Sequence, residues 1–215
     1  MRKLILKMSI SLDGFVCGPN GEIDWIFKTM DGEAANWVVE TLWQAGVHIM
    51  GSHTFNDMAS YWPYSKESFA APMNEIPKVV FTRKGIVKHK NIELTTSALN
   101  DAERFRKPGS YETSSSKDLL EEWENSKVAS GDLVEEISNL KKQSGKDILA
   151  HGGASFAQSL VMHDLIDEYR LVIHHVSLGK GQALFSTLPK PMELKLISTR
   201  SFASGLITNV YKPQK

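Results

Sequence analysis

Two glycine-containing junctions, residues 51–54 (GSHT) and 152–155 (GGAS), carry the residue types in this chain that are best suited to binding an anion. Each junction follows a short apolar run that predicts a strand and precedes a pattern that predicts a helix. The first N–H groups of a helix lack intrahelical acceptors, and the helix dipole adds partial positive charge, so a phosphate fits there. One such junction is equally consistent with a plain turn, but two suit the several phosphates of a dinucleotide.

A third short apolar run, residues 78–82 (KVVFT), predicts a strand that ends beside Arg83. A guanidinium there can pair with a phosphate through its planar fork, although an ordinary solvated strand end explains it equally well. The sequence has no zinc-ligand spacing, no G-x-S-x-G hydrolase motif and no P-loop. Because no acid or nucleophile stands out, we assign no catalytic residue and no metal. The pattern favours hydride transfer, in which a cofactor does the chemistry.

The first predicted strand, residues 4–12, has two different faces. Leucine, methionine and isoleucine occupy its even positions, whereas the odd positions turn polar along the strand with Lys7, Ser9 and Ser11. Because side chains alternate across a strand, this pattern predicts a core on one face and a cleft on the other. A solvated edge strand is the alternative. The turn at Asp13 would begin a long loop beside that cleft.

The composition of the 215 residues is that of an ordinary globular protein, with 41% hydrophobic and 23% charged residues. The 25 basic and 25 acidic residues balance, which argues against nucleic acid or a membrane surface as the main partner. Cys17 is the only cysteine, so no intrachain disulfide can form and a reducing, cytoplasmic setting is expected. The apolar run at the N-terminus is too short to cross a membrane and is interrupted by Lys7, so it predicts a strand.

The order of the predicted elements indicates one α/β domain over residues 1–215. Strands and helices alternate as far as the strand at 168–176, and two strands joined near Gly205 then close the chain as a hairpin. This order predicts a mixed, mostly parallel central sheet with an antiparallel end. Two stretches have no clear pattern: residues 61–77 are expected to be a surface connection, and residues of about 84–118 a flexible insertion.

Several motifs, taken in order, resemble a known family. They are SLDGFV at residues 11–16, MGSHTF at 50–55, KVVFTRKG at 78–85, DILAHGGASFAQSLV at 147–161 and LIDEYRLVIHHVSLGKGQALF at 165–185. Together they resemble the C-terminal reductase domain of riboflavin-biosynthesis deaminase-reductases and, more closely, its stand-alone bacterial relatives with a dihydrofolate-reductase-like fold. The resemblance covers nearly the whole chain except residues of about 84–117.

The resemblance implies a three-layer fold with helices on both faces of the central sheet, NADPH as the reductant, and a homodimer. In the family, the counterparts of the two glycine junctions hold the cofactor phosphates, and the residues after the third strand lie near the adenosine 2′-phosphate. The implied cofactor-binding residues are Gly51, Ser52, His53, Thr54, Thr82, Arg83, Gly152, Gly153, Ala154 and Ser155. Together with the polar face of the first strand, the resemblance places the substrate beside Lys7, Ser9, Ser11, Asp13, Leu178 and Gly179.

Three positions depart from the family pattern. Ser52 stands where an arginine is common, so one cationic contact to a phosphate is missing, and binding of NADH as well as NADPH stays open. His175 stands where a proline is common. Dihydrofolate reductases carry a carboxylate on the first helix, whereas residues 34–36 here are Ala-Ala-Asn and only Glu33 is close, which argues against true dihydrofolate reductase activity.

The sequence therefore predicts an NADPH-dependent reductase that transfers a hydride to a small heterocyclic substrate, either pterin-like or an aminopyrimidine precursor of riboflavin. Such a reaction would be similar to that of 5-amino-6-(5-phosphoribosylamino)uracil reductase. The alternative is a non-catalytic nucleotide-binding module of the same fold. The two hypotheses differ in whether bound NADPH is turned over.

Overall fold

The structure, a computed structural model, describes residues 1–83, 85, 92–104 and 116–214. Eight of its strands form one central sheet, and two short strands form a second. In chain order the strands are β1 (Leu4–Ser11), β2 (Phe15–Cys17), β3 (Ala45–Gly51), β4 (Lys78–Phe81), β5 (Lys127–Ala129), β6 (Asp147–Ala150), β7 (Glu168–His174), β8 (Gln182–Ala183), β9 (Leu194–Ser201) and β10 (Ile207–Pro213).

The central sheet has the strand order β5-β4-β3-β6-β1-β7-β10-β9. The first six strands in this order run parallel, and β10 and β9 complete the sheet in antiparallel orientation. This confirms the mixed, mostly parallel sheet with an antiparallel C-terminal hairpin that the sequence predicts. β1 lies between β6 and β7, so it is a central strand, and the alternative of a solvated edge strand is wrong.

Helices accompany the sheet throughout the described residues, and none of them is long and apolar enough to cross a membrane. The helices are α1 (Asp24–Thr29), α2 (Gly32–Trp43), α3 (Ser52–Tyr61), α4 (Ala70–Glu75), α5 (Ile92–Arg104), α6 (Ser116–Glu124), α7 (Leu133–Lys142) and α8 (Ala154–Met162).

Two apolar clusters, one on each face of the central sheet, form the core. Leu6 of β1 belongs to the cluster that contains residues of α7 and α8, whereas Ile5 belongs to the cluster that contains residues of α2, α4 and α6. This alternation follows from the two-residue repeat of a strand and confirms the predicted three layers. Lys7, Ser9 and Ser11 share the face of Ile5, so the polar face of β1 lies on the α2 side of the sheet.

The stretch 61–77, which the sequence predicts to be a surface connection, contains a buried helix instead. α4 buries Ala70, Pro72, Met73 and Asn74. The prediction is wrong because prolines and scattered aromatic residues obscure the helical period of so short an element. Pro72 stands in the first turn of the helix, where a missing N–H removes no intrahelical hydrogen bond.

α6 joins the core through Trp123, whose side chain is fully buried. The indole N–H of Trp123 donates to Asn74 Oδ1 over 2.8 Å, and the Lys78 ammonium stands 4.6 Å from the centre of the indole ring. The ring of Phe55 packs against it with the two centroids 5.5 Å apart. One large side chain therefore ties an otherwise acidic helix to α3, α4 and β4.

Of the predicted insertion at residues 84–118, the structure describes Gly85, α5 and the beginning of α6. Thr95 Oγ1 donates to the carbonyl of Ser60 over 2.9 Å, so α5 is attached to α3. The flexible insertion itself stays a prediction, because the rest of it, residues 84, 86–91 and 105–115, lies outside the described residues.

We expect Trp123→Ala to lower the free energy of unfolding by about 3–5 kcal/mol, because it empties a large buried volume and leaves Asn74 Oδ1 without its donor. Trp43→Ala is the matched control, since Trp43 is 39% exposed on α2. It should cost less than about 1 kcal/mol. Urea denaturation followed by circular dichroism measures both. Equal losses in the two variants would show that α6 does not belong to the core.

Candidate functional site

The two glycine junctions meet at one edge of the central sheet. β3 and β6 are neighbouring parallel strands that both end at this edge, so α3 and α8 begin side by side. The N–H of Gly51 donates to the carbonyl of Gly152 over 2.9 Å, which joins the junctions directly. The structure therefore brings residues 51–54 and 152–155 together at the ends of two helices, where backbone N–H groups can bind phosphate.

Glycine is required where the two junctions touch. A Cβ atom on Gly153 would lie 2.9 Å from Thr54 Oγ1. Gly152 has a φ of +96°, which other residues rarely adopt, and its Cβ would lie 3.1 Å from Met8 Sδ. The peptide bond between Gly152 and Gly153 is cis. The junctions thus form a backbone cradle that larger residues would fill.

The helices that begin at the two junctions have no side-chain cap among the described residues. Asp31 caps α2 and Asp132 caps α7, each through a carboxylate that accepts from first-turn N–H groups. α3 and α8 start instead after Gly51 and Gly153 and carry no acidic residue in the first turn. Their first N–H groups and positive dipole ends are therefore left for an external anion, and this donor set fits the phosphates of a dinucleotide.

The end of β4 brings Thr82 and Arg83 to the same edge of the sheet. Phe81 pairs with Gly51 across β4 and β3, so the residues that follow these two positions lie next to each other. The N–H of Thr82 donates to the carbonyl of Ala129 over 3.1 Å, which fixes the strand end. Arg83 is exposed, as a side chain must be to reach a ligand at this edge.

The remaining predicted cofactor residues occupy the first turns of α3 and α8. His53 and Ser155 are exposed, whereas Ser52 and Ala154 are partly buried. Lys84, the residue after Arg83, lies outside the described residues. All the predicted cofactor residues that the structure describes therefore lie at the ends of β3, β4 and β6.

The polar face of β1 ends close to the glycine junctions. Leu6 pairs with Ala150, so Lys7 lies beside His151, the residue that precedes Gly152. Lys7 is partly buried, and burial lowers the pKa of its ammonium to about 8. In the described part of the chain the Lys7 ammonium has no hydrogen-bond partner and no ion pair.

Ser9 and Ser11 continue the polar face of β1, but both are buried. Ser11 Oγ donates to Asp13 Oδ1 over 2.6 Å and accepts from the N–H of Phe15 over 2.9 Å. These bonds shape the turn after β1. The Ser11 hydroxyl is thus already hydrogen-bonded within the protein. Its contribution to the predicted substrate site would be to hold this turn in place.

Asp13 ties the loop after β1 to the loop after β7. Its carboxylate accepts from Ser177 Oγ over 2.8 Å and from the N–H groups of Leu178 and Gly179 over 3.1 and 2.7 Å. The hydrogen bond from Ser11, helped by these further donors, holds the pKa of this exposed carboxyl well below its usual range. Asp13 and the two predicted substrate residues after β7 therefore form one connected unit.

Two histidines lie on the same side of the sheet as Lys7, and the sequence did not single them out as site residues. His151 is partly buried beside Lys7, and His174 is buried opposite Ser11. His151 Nε2 and His174 Nε2 have no hydrogen-bond partner among the described residues. Burial lowers the pKa of His174 to about 4 and that of His151 well below its ordinary value, so both rings are neutral at pH 7. The Nδ1 atom of His174 lies 2.5 Å from Thr29 Oγ1, and Trp25 meets the ring edge-on at 5.0 Å.

Weak signals for these histidines exist in the sequence. His151 directly precedes the glycine pair at 152–153, and the alternation of side chains along a strand predicts that the adjacent His174 and His175 point to opposite faces. That expectation is correct, since His174 is fully buried whereas His175 is exposed. Periodicity alone could not show that both histidines lie on the same side of the sheet as Lys7, because this depends on which strands pair with β1.

Comparison with known proteins gives consistent matches. A family model described as the RibD C-terminal domain matches residues 2–208. YyaP of Bacillus subtilis (strain 168), an uncharacterised protein, is 31% identical over 213 residues, which are 98% of this chain and 94% of that protein.

Two solved structures superpose on nearly the entire chain. A diaminohydroxyphosphoribosylaminopyrimidine deaminase/5-amino-6-(5-phosphoribosylamino)uracil reductase from Thermotoga maritima gives a TM-score of 0.65 at 18% identity, over 99% of this chain and 57% of that longer one. A pyrimidine reductase-like protein from Corynebacterium diphtheriae gives 0.63 at 14% identity, over 100% of this chain and 92% of that one. The predicted dihydrofolate-reductase-like fold is confirmed.

We expect Gly152→Ala to lower the free energy of unfolding by about 1–3 kcal/mol, because its positive φ strains alanine and the new Cβ would press on Met8 Sδ. Gly32→Ala is the matched control, since no atom lies within 4 Å of an added Cβ at this helical position. It should leave stability unchanged or raise it by up to about 1 kcal/mol. Urea denaturation measures both, and a fully stable Gly152→Ala protein would contradict the need for glycine.

Proposed function

The chain belongs to the RibD C-terminal domain family, and from that premise we propose that it is an NADPH-dependent reductase of a small heterocyclic substrate. The reaction would add a hydride to a C=N or C=O carbon of a pterin-like compound or of an aminopyrimidine precursor of riboflavin. The family is reductase-like, and the matched Thermotoga maritima protein is described as a 5-amino-6-(5-phosphoribosylamino)uracil reductase.

The contact between the two glycine junctions is the observation that carries this function. Two helix N-termini meet through one hydrogen bond, from Gly51 to Gly152, and among the described residues neither helix has a side-chain cap or a first-turn carboxylate. A dinucleotide presents several phosphates close together, and each needs its own donors. Paired junctions of this kind suit that ligand better than they suit a single anion.

The chain's own groups would bind and orient the cofactor. Backbone N–H groups of residues 52–54 and 154–155 would donate to its phosphates, and Arg83 would face the adenosine 2′-phosphate. Bound NADPH supplies the hydride. Because Ser52 stands where the family commonly has an arginine, Arg83 would carry more of the preference for NADPH over NADH.

The carboxylates near the polar face of β1 are engaged elsewhere in the described part of the chain. Glu33 is exposed and lies 3.7 Å from Arg200, whereas Asp31 caps α2 and accepts from the N–H of Ser204. Asp13 binds four donors of its own loops. A protonated pterin ring would lack a carboxylate partner here, which supports the prediction that this protein is not a true dihydrofolate reductase.

A homodimer is a further part of the proposal, and it rests on the family resemblance alone. Light scattering coupled to size-exclusion chromatography distinguishes the mass of two chains from that of one. A mass of one chain at micromolar concentration would remove the dimer from the proposal. It would leave the cofactor site unaffected, because every residue assigned to that site belongs to a single chain.

Titration with NADPH and with NADH, followed by nicotinamide fluorescence, tests the cofactor site. We expect saturable binding of NADPH. NADH should bind with comparable affinity if the serine at position 52, in place of the family's common arginine, has removed the discrimination between the two nucleotides. Turnover of NADPH with a panel of pterins, flavins and aminopyrimidines then tests the reaction. Binding without reduction of any panel member would favour the non-catalytic nucleotide-binding module, and binding of neither nucleotide would refute both functions.

We expect Arg83→Ala to weaken NADPH binding by about 1–3 kcal/mol, or about 5–150-fold, because a charge-assisted hydrogen bond to the 2′-phosphate would be lost. NADH lacks that phosphate and should bind with unchanged affinity. Lys195→Ala removes the same charge from β9, at the opposite end of the sheet, and should alter neither affinity. An Arg83→Ala protein with wild-type NADPH affinity would exclude Arg83 from the site.

A further inference from the structure

Lys7 is a partly buried cation without a counter-ion in the described part of the chain. Its register partner on β7 is Arg170, a second cation. Arg170 is itself occupied, because its Nε donates to Glu168 Oε1 over 2.8 Å and its Nη1 to Gln44 Oε1 over 2.6 Å. Glu168, the carboxylate within β7, is thus committed to Arg170, and Lys7 gains no anion from that strand.

On the other side of Lys7, β6 is followed by a neutral ring. His151 follows β6 next to Lys7, and the charge of Lys7 helps to lower the pKa of its ring, whereas His174 ends β7 on the same face opposite Ser11. Behind His151 stands His48 on β3, with the two ring centroids 4.6 Å apart. His48 is also neutral, since burial and then the charge of Lys78 lower its pKa to about 3.

Among the described residues, α1 and α2 add no anion beside Lys7 either. α1 contributes Thr29 and Trp25, which contact His174. The described carboxylates of α1 and α2 point elsewhere: Asp24 pairs with Lys28, Glu33 with Arg200, Asp31 caps α2, and Glu40 is exposed. An ammonium removed from water without an anion is costly, and such groups concentrate at functional sites.

The proposed reaction requires a proton at this face. Reduction of a C=N or C=O group by a nicotinamide adds a hydride to the carbon and leaves the displaced electron pair on nitrogen or oxygen, which must take up one proton. The neutral histidines have no proton to spare at pH 7. The Lys7 ammonium can donate a proton at pH 7. Its lowered pKa of about 8 is close to neutral pH, which is where a general acid transfers its proton most efficiently.

We propose that Lys7 gives this proton to the substrate heteroatom, and that His151 is a positioning residue that keeps its ammonium without a counter-ion. The inference rests on the proposed reductase function. One N–H bond of Lys7 breaks, and a new N–H or O–H bond forms with the electron pair displaced from the substrate double bond. The carbon is reduced, the nicotinamide is oxidised, and the neutral amine regains a proton from water.

The decisive experiment measures the pKa of Lys7 directly in the unliganded protein. Lysines are ¹³C-dimethylated and titrated by NMR, with Lys7→Arg and Lys78→Arg assigning the two signals expected at about pH 8. Exposed lysines should titrate at about 10.4. His151→Glu supplies the missing anion and should raise the pKa of Lys7 by about 1–3 units, whereas the matched His151→Gln should leave it at about 8.

The pH profile of turnover is the second readout. In the wild type, kcat/KM should fall as pH rises through about 8, because the donor form of Lys7 is lost. In His151→Glu the fall should move to higher pH by the shift seen in the NMR titration, and in His151→Gln it should not move. If the pKa of Lys7 rises in His151→Glu but kcat/KM still falls at the same pH as in the wild type, Lys7 is not the donor.

The two readouts separate the inference from the function on which it rests. The NMR titration needs neither NADPH nor a substrate. A protein in which Lys7 titrates with the exposed lysines, or in which His151→Glu leaves its pKa unchanged, overturns the inference even if the enzyme is active. A lowered Lys7 pKa together with failure to bind any nicotinamide nucleotide would instead overturn the reductase function.

Discussion

The hydrogen bond from the Gly51 N–H to the Gly152 carbonyl is the contact on which the rest of the candidate site depends. It exists because β3 and β6 are parallel neighbours that end at the same level, so the helices after them start together. Met8 of β1 packs beneath Gly152, so closely that a Cβ there would lie 3.1 Å from Met8 Sδ. The strand that carries the polar face is therefore held in a fixed relation to the glycine junctions.

β1 serves the core and the candidate site with alternate residues. Its even positions belong to the cluster under α7 and α8, and Ile5 belongs to the cluster under α2. From Lys7 onward the odd positions are polar, so the apolar packing on the α2 side stops partway along the strand. A central strand can tolerate this change only where other elements bury or bind the polar groups, as Asp13 and Phe15 do for Ser11.

Local patterns in the sequence were enough to predict the sheet, its antiparallel end, both glycine junctions and the two faces of β1. The signal for each of these features lies within about ten consecutive residues. It is either a periodic spacing of apolar residues or a glycine at the end of a strand. Features created by contacts between distant residues were missed. Trp123 lies in an acidic helix, and its partner Asn74 lies 49 positions away. The position of His151 beside Lys7 likewise depends on the pairing of β6 with β1, which no local pattern specifies.

Lys7, on the α2 side of the sheet, lowers the stability of this fold at neutral pH. Met50, Leu149 and Val172 show that apolar side chains fit this face, yet Lys7 and three histidines occupy it as well. Because the pKa of Lys7 falls from 10.5 to about 8 on folding, the unfolded chain binds more protons between these values, and this residue makes stability rise with pH in that interval. Below about pH 8 its charge therefore opposes folding. A group that destabilises the folded state at neutral pH, beside the glycine junctions, is better explained by a ligand that satisfies it than by packing.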